Sequence, residues 1–327
     1  MTFTEAQSAF EELFSGRLKD TEAKALLEDL YRRGESAQEI AGAAKVMRAH
    51  AIKLEVPNHL KSKLFDNCGT GGDKSGSFNI STTVSIILAS MGLAVAKHGN
   101  RSITSKSGSA DVLESLGIRL DLNSYQQIKM LEETGFAFLF AQNHHPAMKY
   151  IMPIRKSFNH RTIFNILGPL TSPANVKNQL IGVFDSSYVL RVAKALKILG
   201  SSNAMVVSSL DGLDEIGIGS ISKYAKLRDG KISEGEIEPE TFSIKRATLE
   251  EIKGGDSAKN AQIMSEVLSA KSKGAKEDIV CLNAAAAFEI SSLARDMQDG
   301  LEMAREAIIS GKAKAQLEKI IKVSQSL

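Results

Sequence analysis

From about residue 65 onwards, short apolar runs alternate with glycine-rich turns and with longer stretches of helical periodicity. Strands that alternate with helices are typical of an α/β fold, in which helices flank a mostly parallel central sheet. Segment 222–238 alternates apolar and polar residues around Arg228-Asp229-Gly230, which predicts an antiparallel hairpin and therefore a mixed sheet. The other predicted strands are 93–96, 136–141, 179–184, 204–208 and 278–282.

Before residue 60 the pattern is different, because apolar residues recur at helical spacing and strand patterns are absent. Gly16 and Gly34 follow the first two helical patterns as stop signals, and segment 36–39 has the form of a capping box that starts a third helix. A chain of 327 residues also exceeds the size at which a single core stops growing, roughly 250–300 residues. We therefore predict a small helical domain, 1–65, and a larger α/β domain, 66–327.

Composition and charge argue against several classes of protein. The hydrophobic fraction of 43% and the charged fraction of 24% are ordinary for folded globular proteins, and no apolar run reaches the roughly 18 residues of a membrane span. The N-terminus lacks the pattern of a signal peptide, so we expect a cytoplasmic protein without membrane contact. With 41 basic and 38 acidic residues, the net charge of +3 does not indicate nucleic-acid binding. Cys68 and Cys281 match no zinc spacing.

The first cluster that indicates chemistry is Gly69-Thr70-Gly71-Gly72-Asp73, followed by the polar residues Ser75, Ser77, Asn79, Ser81 and Thr82. Glycines allow backbone amides to approach an anion, hydroxyl groups add donors, and a helix that starts near Ser81 would add the positive end of its dipole. The cluster therefore indicates phosphate binding. It matches neither the G-x-G-x-x-G pattern nor the G-x-x-x-x-G-K-[ST] pattern, and three glycines alone would also fit a flexible surface turn.

A second cluster, Lys97-His98-Gly99-Asn100-Arg101, follows a predicted strand and leads through the hydroxyl-rich segment 102–109 into another predicted helix, 110–116. Ligand loops of α/β proteins follow strands in this way, and two cations near a helix start favour a second anion pocket. A histidine or a lysine alone would more often be a solvated or structural residue. A solvated loop, however, does not explain the whole run.

Taken in order, the motifs G-T-G-G-D, N-x-S-T and K-H-G-N-R resemble those of the anthranilate phosphoribosyltransferases. Further stretches are similar to the same family, namely His144-His145-Pro146-Ala147-Met148, Arg161-Thr162-Ile163-Phe164-Asn165, Leu167-Gly168-Pro169-Leu170 and Asp211-Gly212-Leu213-Asp214-Glu215. The resemblance implies a helical domain, with a middle helical contribution near 162–178, against the α/β domain. It also implies a homodimer, and the transfer of ribose phosphate from phosphoribosyl pyrophosphate (PRPP) to the amine of anthranilate in tryptophan biosynthesis.

The resemblance further implies which residues contact each ligand. The residues implied to bind PRPP are Gly69, Gly72, Asp73, Ser77, Asn79, Ile80, Ser81, Thr82, Lys97, His98, Gly99, Asn100, Arg101, Ser102 and Ser109. Those implied to bind anthranilate are Gly69, Asn100, His98, His145, Arg155 and Pro169. Those implied to bind the cofactor Mg²⁺ are Ser81, Asp214 and Glu215. The planar guanidinium of Arg155 would suit a carboxylate, and Mg²⁺ selects hard oxygen ligands.

In the implied reaction, the amine attacks C1 of the ribose as pyrophosphate leaves with magnesium. The aromatic amine is already neutral and nucleophilic, so we assign no catalytic base, and we assign Cys68 no role as a nucleophile. A nucleoside phosphorylase of the same fold is the closest alternative, although the second cluster and the acidic pair favour PRPP. A non-catalytic relative that binds nucleic acid is a further alternative, which the balanced charge does not favour.

Overall fold

The computed structural model describes residues 1–102 and 106–327, so Thr104 and Ser105 of the second cluster lie outside the described residues. The helices are α1 (Phe3–Phe14), α2 (Asp20–Arg33), α3 (Ala37–Ala49), α4 (Asn58–Lys61), α5 (Ile80–Ser90), α6 (Ser109–Ser115), α7 (Ser124–Thr134), α8 (Ala141–His144), α9 (Met148–Lys156), α10 (Phe164–Leu167), α11 (Val189–Ile198), α12 (Ser257–Leu268), α13 (Ala275–Ile290), α14 (Met297–Ile309) and α15 (Lys312–Ser326). Short 3-10 helices lie at Gly168–Thr171, Ser186–Tyr188, Pro239–Phe242 and Leu249–Ile252. None of the helices described is long and apolar enough to cross a membrane.

The strands are β1 (Leu64–Asp66), β2 (Ala94–Gly99), β3 (Phe136–Phe140), β4 (Asn178–Gly182), β5 (Asn203–Ser209), β6 (Ser222–Arg228) and β7 (Lys231–Ile237). Within the described residues they form one sheet in the order β3-β2-β1-β4-β5-β6-β7. Strands β1 to β5 pair in parallel, whereas β6 and β7 are antiparallel. The prediction of a mixed, mostly parallel sheet flanked by helices is therefore confirmed.

The hairpin predicted in 222–238 is also confirmed. Asp229 and Gly230 at its turn have φ values of 50° and 71°, and a two-residue hairpin turn of type I′ requires positive φ at both positions. Four other predicted strands correspond to β2, β3, β4 and β5. Strand β1 is missing from the predicted set because its three residues are too few to show a pattern.

The strand predicted at 278–282 is wrong, because these residues belong to the long helix α13. Residues 279–282 are fully buried, and the helix continues through the buried alanines 284–287. A short apolar run that is surrounded by protein shows the same hydrophobic pattern in a helix as in a strand. Its length, rather than its periodicity, identifies it as helical.

Helices α1 to α3 form an N-terminal bundle. Helix α3 begins with the predicted capping box, in which the Ser36 hydroxyl accepts a hydrogen bond from the Glu39 amide and the Glu39 carboxylate accepts one from the Ser36 amide. Helices α1 and α3 pack closely, since a Cβ atom on Gly42 would lie 2.7 Å from the Cβ atom of Ala6. The small residues at this crossing therefore set the distance between the two helices.

Two hydrophobic cores lie on opposite faces of the sheet. Successive residues of β5 alternate between them, with Met205 and Val207 in one core and Ala204 and Val206 in the other. The second core is completed by α1 to α3 and by apolar residues of the predicted middle segment 162–178. This core contains residues from both parts of the chain, so it does not mark a boundary between them. The division into 1–65 and 66–327 therefore remains a proposal.

The carboxyl ends of β1, β2, β4 and β5 meet at one edge of the sheet, because these strands are parallel. In α/β proteins, ligand loops lie at this edge. The loops that follow the four strands begin at residues 67, 100, 183 and 210. Both clusters from the sequence and the acidic pair Asp214-Glu215 therefore lie at the same edge.

Candidate active site

The glycine loop, residues 67–79, connects β1 to α5 and lies against the ends of β4 and β5. The Thr70 amide donates to the Gly182 carbonyl at 2.9 Å, and the Phe184 amide donates to the Thr70 hydroxyl at 3.2 Å. The Gly71 amide donates to Oδ2 of Asp214 at 2.6 Å. These contacts bring the first cluster and the acidic pair of the sequence together.

Close contact at this point depends on glycine. A Cβ atom on Gly69 would lie 2.9 Å from Oδ2 of Asp214, and one on Gly182 would lie 1.5 Å from the Asp214 carbonyl oxygen. Gly72 has a φ of 75°, which is the left-handed region that favours glycine. The glycine pattern is therefore required by the approach of the loop to Asp214 and by the backbone turn.

Helix α5 begins directly after the glycine loop, close to the predicted start. Its N-cap residue, Asn79, makes no capping bond with its side chain, which instead accepts a hydrogen bond from Asn260 at 2.9 Å. The first turn of the helix therefore receives no cap from Asn79, and such a turn is suited to an anion. Ile80 is buried and offers only backbone to a ligand, and the buried Thr82 hydroxyl has no partner among the described residues.

Lys97 connects the second cluster to the first. Its side chain is 2% exposed, and its Nζ atom donates to the Ser81 hydroxyl at 3.2 Å and to the Asn67 carbonyl at 3.4 Å. Asn67 also donates to the Ser81 carbonyl at 2.7 Å and accepts from Ser85 at 2.7 Å. Asn67 is not among the predicted site residues. Its position just before the glycines is the sequence signal that could have indicated its contacts with Ser81 and Lys97.

Three carboxylates, those of Asp73, Asp214 and Glu215, form an acidic group at the floor of this site. Burial, and then the negative charge of Asp73, raise the pKa of Asp214. Burial, and then the negative charge of Asp214, raise the pKa of Glu215 well above its ordinary value, and Lys97 opposes that shift. Oδ2 of Asp73 is buried without a hydrogen-bond partner in the described part of the chain. The ionised forms of Asp214 and Glu215 are therefore disfavoured in the protein alone, and a bound cation would stabilise them.

Its chemistry fits magnesium. Hard oxygen donors are what Mg²⁺ selects, and the ion usually binds through one or two carboxylates together with substrate phosphates. Across residues 1–102 and 106–327, no set of three or more His, Cys, Asp or Glu side chains is arranged to hold a metal by itself. The residues present thus suit an ion that is bound jointly with a phosphorylated ligand.

The second loop, residues 100–102 and 106–108, is held by the start of α6. The Asn100 carbonyl accepts from the Ser109 hydroxyl at 3.2 Å, and Asp111 accepts from the amides of Gly108 and Ser102 at 2.8 and 3.2 Å. A Cβ atom on Gly99 would lie 2.4 Å from Oγ of Ser109. The backbone of this loop is therefore tightly packed against α6.

Arg101 is placed differently from the sequence expectation of a cation for phosphate. Its guanidinium pairs with Glu114 at 2.5 and 2.7 Å and with Asp111 at 2.9 Å, and it lies over the Phe140 ring. Its charge is therefore neutralised within helix α6 and its loop. Ser77, in the first cluster, accepts from the Ser75 hydroxyl at 3.1 Å and bridges to Lys253. Roles of Arg101 and Ser77 in binding PRPP remain predictions.

His98 and His145 form a buried histidine pair, with their Nε2 atoms 3.2 Å apart. Nδ1 of His98 lies 3.0 Å from the Gly168 carbonyl, which can only accept, so this nitrogen carries the proton of a neutral His98. His145 also meets a backbone acceptor, the Thr171 carbonyl, so the direction of the contact between the two Nε2 atoms depends on the tautomer of His145. Burial, and then the neighbouring His145, lower the pKa of His98 to about 3, and burial and His144 lower that of His145 to about 4. Both rings are therefore neutral near pH 7.

Arg155 lies on α9 with its guanidinium 5.7 Å from the centre of the Phe164 ring. Burial lowers its pKa, and no carboxylate of the described residues pairs with it. Pro169 follows Gly168, the partner of His98, in a 3-10 helix, and its carbonyl accepts from Gln179 at 2.8 Å. A half-buried arginine without an acidic partner is suited to an anionic ligand.

Cys68 lies beside the glycine loop, and its thiol donates to the Gly69 carbonyl at 3.4 Å. Burial raises the pKa of the Cys68 thiol far above its ordinary value, so the thiol stays protonated. A thiol is a poor nucleophile in that form.

The helical bundle and the α/β part each match a known family model. The model described as glycosyl transferase family, helical bundle domain, matches residues 1–51, and the one described as glycosyl transferase family, a/b domain, matches residues 61–314. The fold and the site thus define a glycosyl transferase with a helical bundle ahead of its a/b domain.

Known relatives identify a particular family within the glycosyl transferases. Anthranilate phosphoribosyltransferase of Xanthobacter autotrophicus is 45% identical over 100% of this chain and 94% of its own length, and that of Methanobrevibacter smithii is 44% identical over 98% and 95%. The crystal structure of anthranilate phosphoribosyltransferase from Thermus thermophilus has a TM-score of 0.93 and 37% identity, covering 99% of this chain and 96% of that chain. The Saccharomyces cerevisiae structure in complex with PRPP and Mg has a TM-score of 0.88 and 28% identity, covering 100% and 94%. This chain therefore belongs to the anthranilate phosphoribosyltransferase family.

Proposed function

We propose that this chain is an anthranilate phosphoribosyltransferase, which transfers the 5-phosphoribosyl group of PRPP to the amine of anthranilate and releases pyrophosphate. The observation that carries the proposal is the contact of the glycine loop with the acidic group, where the Gly71 amide lies 2.6 Å from Asp214 and Lys97 lies beside Ser81. Donors for phosphate and ligands for a cation thus meet at one place. Relatives with this name extend over almost the whole chain.

In this proposal, PRPP lies along the glycine loop and the start of α5, and the second loop closes its other side. The backbone amides and Lys97 would hold the phosphates. Asp214, Glu215 and Ser81 would hold magnesium, which neutralises the leaving pyrophosphate when it is bound. The Saccharomyces cerevisiae relative is known in complex with PRPP and Mg, which supports this choice of cofactor.

Anthranilate would lie beside the histidine pair and Pro169, with its carboxylate on Arg155. A structure of the Saccharomyces cerevisiae relative in complex with 4-fluoroanthranilate supports this class of acceptor. The bond between ribose C1 and the pyrophosphate oxygen breaks as the bond between C1 and the amine nitrogen forms, and the amine then loses a proton. The protein's part is to align the two substrates and to balance the developing charge. Because His98 and His145 are neutral, Arg155 is the cation that we propose to pair with the anthranilate carboxylate.

A nucleoside phosphorylase of the same fold is the enzyme alternative, and one assay separates the two. Loss of anthranilate fluorescence is measured with PRPP and Mg²⁺, and release of the base is measured with a pyrimidine nucleoside and inorganic phosphate. We expect turnover only in the first mixture, and none when PRPP is omitted. Turnover only in the second would refute the proposal.

The proposal extends to the oligomeric state, the localisation and the macromolecular partners of the protein. We propose that the protein is a homodimer through its helical bundle, which light scattering of the purified protein would test. We also propose that it is cytoplasmic and that it binds neither nucleic acid nor membrane, so a salt-dependent DNA gel shift should show no complex.

A further inference from the structure

Arg161 lies between α9 and α10 and contacts the glycine loop from outside. Its Nη2 atom donates to the Gly72 carbonyl, and its guanidinium lies 3.9 Å from the centre of the Phe184 ring. The Phe184 amide in turn donates to the Thr70 hydroxyl at 3.2 Å. Phe184 therefore holds residue 70 of the loop and Arg161 holds residue 72, and these two neighbours contact each other.

This arginine is not paired as a surface arginine usually is. No carboxylate pairs with Arg161 among the residues that the structure describes, and the acceptor of its hydrogen bond is a backbone carbonyl of the glycine loop. A Cβ atom on Gly72 would lie 4.0 Å from Nε of Arg161, so the guanidinium covers the turn. A bond from a charged donor to a carbonyl is stronger than a neutral one and is directional. Arg161 therefore fixes the orientation of the peptide group at Gly72.

The neighbouring residue connects this contact to the helical bundle. The His160 ring stacks on Tyr31 of α2 with a centroid distance of 3.7 Å and an interplanar angle of 12°. Its Nε2 atom lies 2.9 Å from Glu28, and its Nδ1 atom lies 2.8 Å from the Arg161 carbonyl. Both acceptors suit a protonated ring, and the Arg161 carbonyl and Glu28 raise the pKa of His160. Arg32, which also pairs with Glu28, faces His160 as well and opposes the rise in its pKa.

We infer that Arg161 is a positioning residue for PRPP, which acts by holding the Gly72 carbonyl, and that His160 anchors it to helix α2. The inference rests on the proposed function for the identity of the ligand. In this proposal, PRPP binding depends on the helical bundle, because the consecutive residues His160 and Arg161 connect helix α2 to the glycine loop. Arg161 touches no reacting atom in this account, so its loss should affect PRPP more than anthranilate.

Two variants, Arg161→Ala and Arg161→Lys, test the first part. Calorimetric titration with PRPP and Mg²⁺ gives Kd, and steady-state kinetics give KM for each substrate. We expect Arg161→Ala to raise the Kd and KM for PRPP about tenfold to hundredfold, the range for one lost charged hydrogen bond, with the anthranilate KM changed by less than about twofold. Arg161→Lys keeps the charge and one donor, and it should recover part of the loss. Arg119→Ala, which breaks the exposed pair with Asp121 at 2.9 Å, is the matched control and should behave as wild type.

A wild-type PRPP Kd in Arg161→Ala, or an equal defect for both substrates, would overturn the inference. The titration requires no turnover, so a wild-type protein that binds PRPP without consuming anthranilate would refute the proposed function alone.

The variant His160→Gln tests the anchor to α2. It should raise the PRPP Kd by about two- to fivefold, since the pair with Glu28 is partly exposed. Combined with Arg161→Ala, it should add nothing further, because both residues belong to one connection. Multiplied effects in the double variant would show that His160 acts independently, and would overturn the anchoring role.

Discussion

Asp214 and Glu215 are the two carboxylates that we propose as ligands for magnesium. Burial raises the pKa of both, together with the charge of Asp73 for Asp214 and the charge of Asp214 for Glu215, and a bound cation would offset this repulsion. We predict that Asp214→Asn with Glu215→Gln lowers kcat by about a hundredfold or more, because charge on the leaving pyrophosphate is no longer neutralised. The thermal midpoint should be unchanged or higher, since repulsion is removed.

The measurement is kcat over a magnesium titration together with thermal unfolding. Asp229→Asn, at the exposed hairpin turn, is the control. Wild-type kcat with an unchanged magnesium requirement in the double variant would contradict the metal assignment.

Arg155 is the residue that we propose to bind the carboxylate of anthranilate. Its guanidinium has no acidic partner in the described chain, so the anthranilate carboxylate would be its partner. Arg155→Ala should raise the KM for anthranilate by a factor that corresponds to about 1.5–3 kcal/mol, and should leave the KM for PRPP nearly unchanged. Arg155→Lys should recover only part of the loss, because it lacks the planar fork. Kinetics with each substrate varied in turn decide the matter, and a defect confined to PRPP would reject the assignment.

The histidine pair gives a prediction for pH. The folded state lowers the pKa of His98 to about 3 and that of His145 to about 4, so the unfolded chain takes up protons first as pH falls. Their contribution to stability is therefore complete above about pH 6.5, the ordinary histidine value, and declines from there toward pH 4. We predict that His98→Gln with His145→Gln flattens this acid decline. Urea unfolding at pH 7.5, 5.5 and 4.5 measures it, and parallel curves for both proteins would contradict it.

Residue identity alone indicates some of these groups and not others. Glycines, hydroxyls and the Asp-Glu pair indicate the phosphate and metal groups because few other patterns need them together. The pairing of His98 with His145, and of Arg161 with Gly72, depends on tertiary contacts between distant segments. The acidic partners of Arg101 lie on the helix that follows it, and the motif around Arg101 does not indicate this pairing.

Helix α5 and strand β2 together hold the phosphate groups in this account. Ser81 lies in the first turn of α5, and the buried Lys97 of β2 donates to it at 3.2 Å. We predict that Ser81→Ala and Lys97→Ala each weaken PRPP binding without abolishing it, because the backbone amides of both elements remain. Since the two side chains are in contact, the double variant should lose less than the product of the single effects. Calorimetric titration with PRPP and Mg²⁺ measures all three.

If both single variants bound PRPP as tightly as the parent protein, neither side chain would contact its phosphates. The assignment of the phosphate site to these elements would then be wrong.

Element type is predicted well where the environment differs between the two sides of an element. The apolar residues of β6, Ala225 and Leu227, are buried and alternate with partly exposed residues, and the turn requires positive φ, so the sequence shows the hairpin clearly. Helix α13 is buried on all sides, and its residues 278–282 give no such contrast. Strand β1 is central yet only three residues long, so it is defined by its neighbours β2 and β4 rather than by its own pattern.

The whole molecule combines two cores that share one sheet, and the second core joins the helical bundle to the α/β part. The bundle therefore packs, through this core, against one face of the sheet. His160 contacts helix α2 of that bundle and Arg161 contacts the glycine loop, so the two residues connect them. We propose that the two substrates are aligned between these two parts of the chain, and that the chemistry of transfer depends on this alignment.

Simultaneous measurement of anthranilate consumed and pyrophosphate released tests that claim most directly. With PRPP and Mg²⁺ present, we expect one pyrophosphate to be released for each anthranilate lost, and both signals to vanish when either PRPP or Mg²⁺ is omitted. The double variant of Asp214 and Glu215 should lose both signals together. Release of pyrophosphate without loss of anthranilate, or loss of anthranilate without PRPP, would contradict the account.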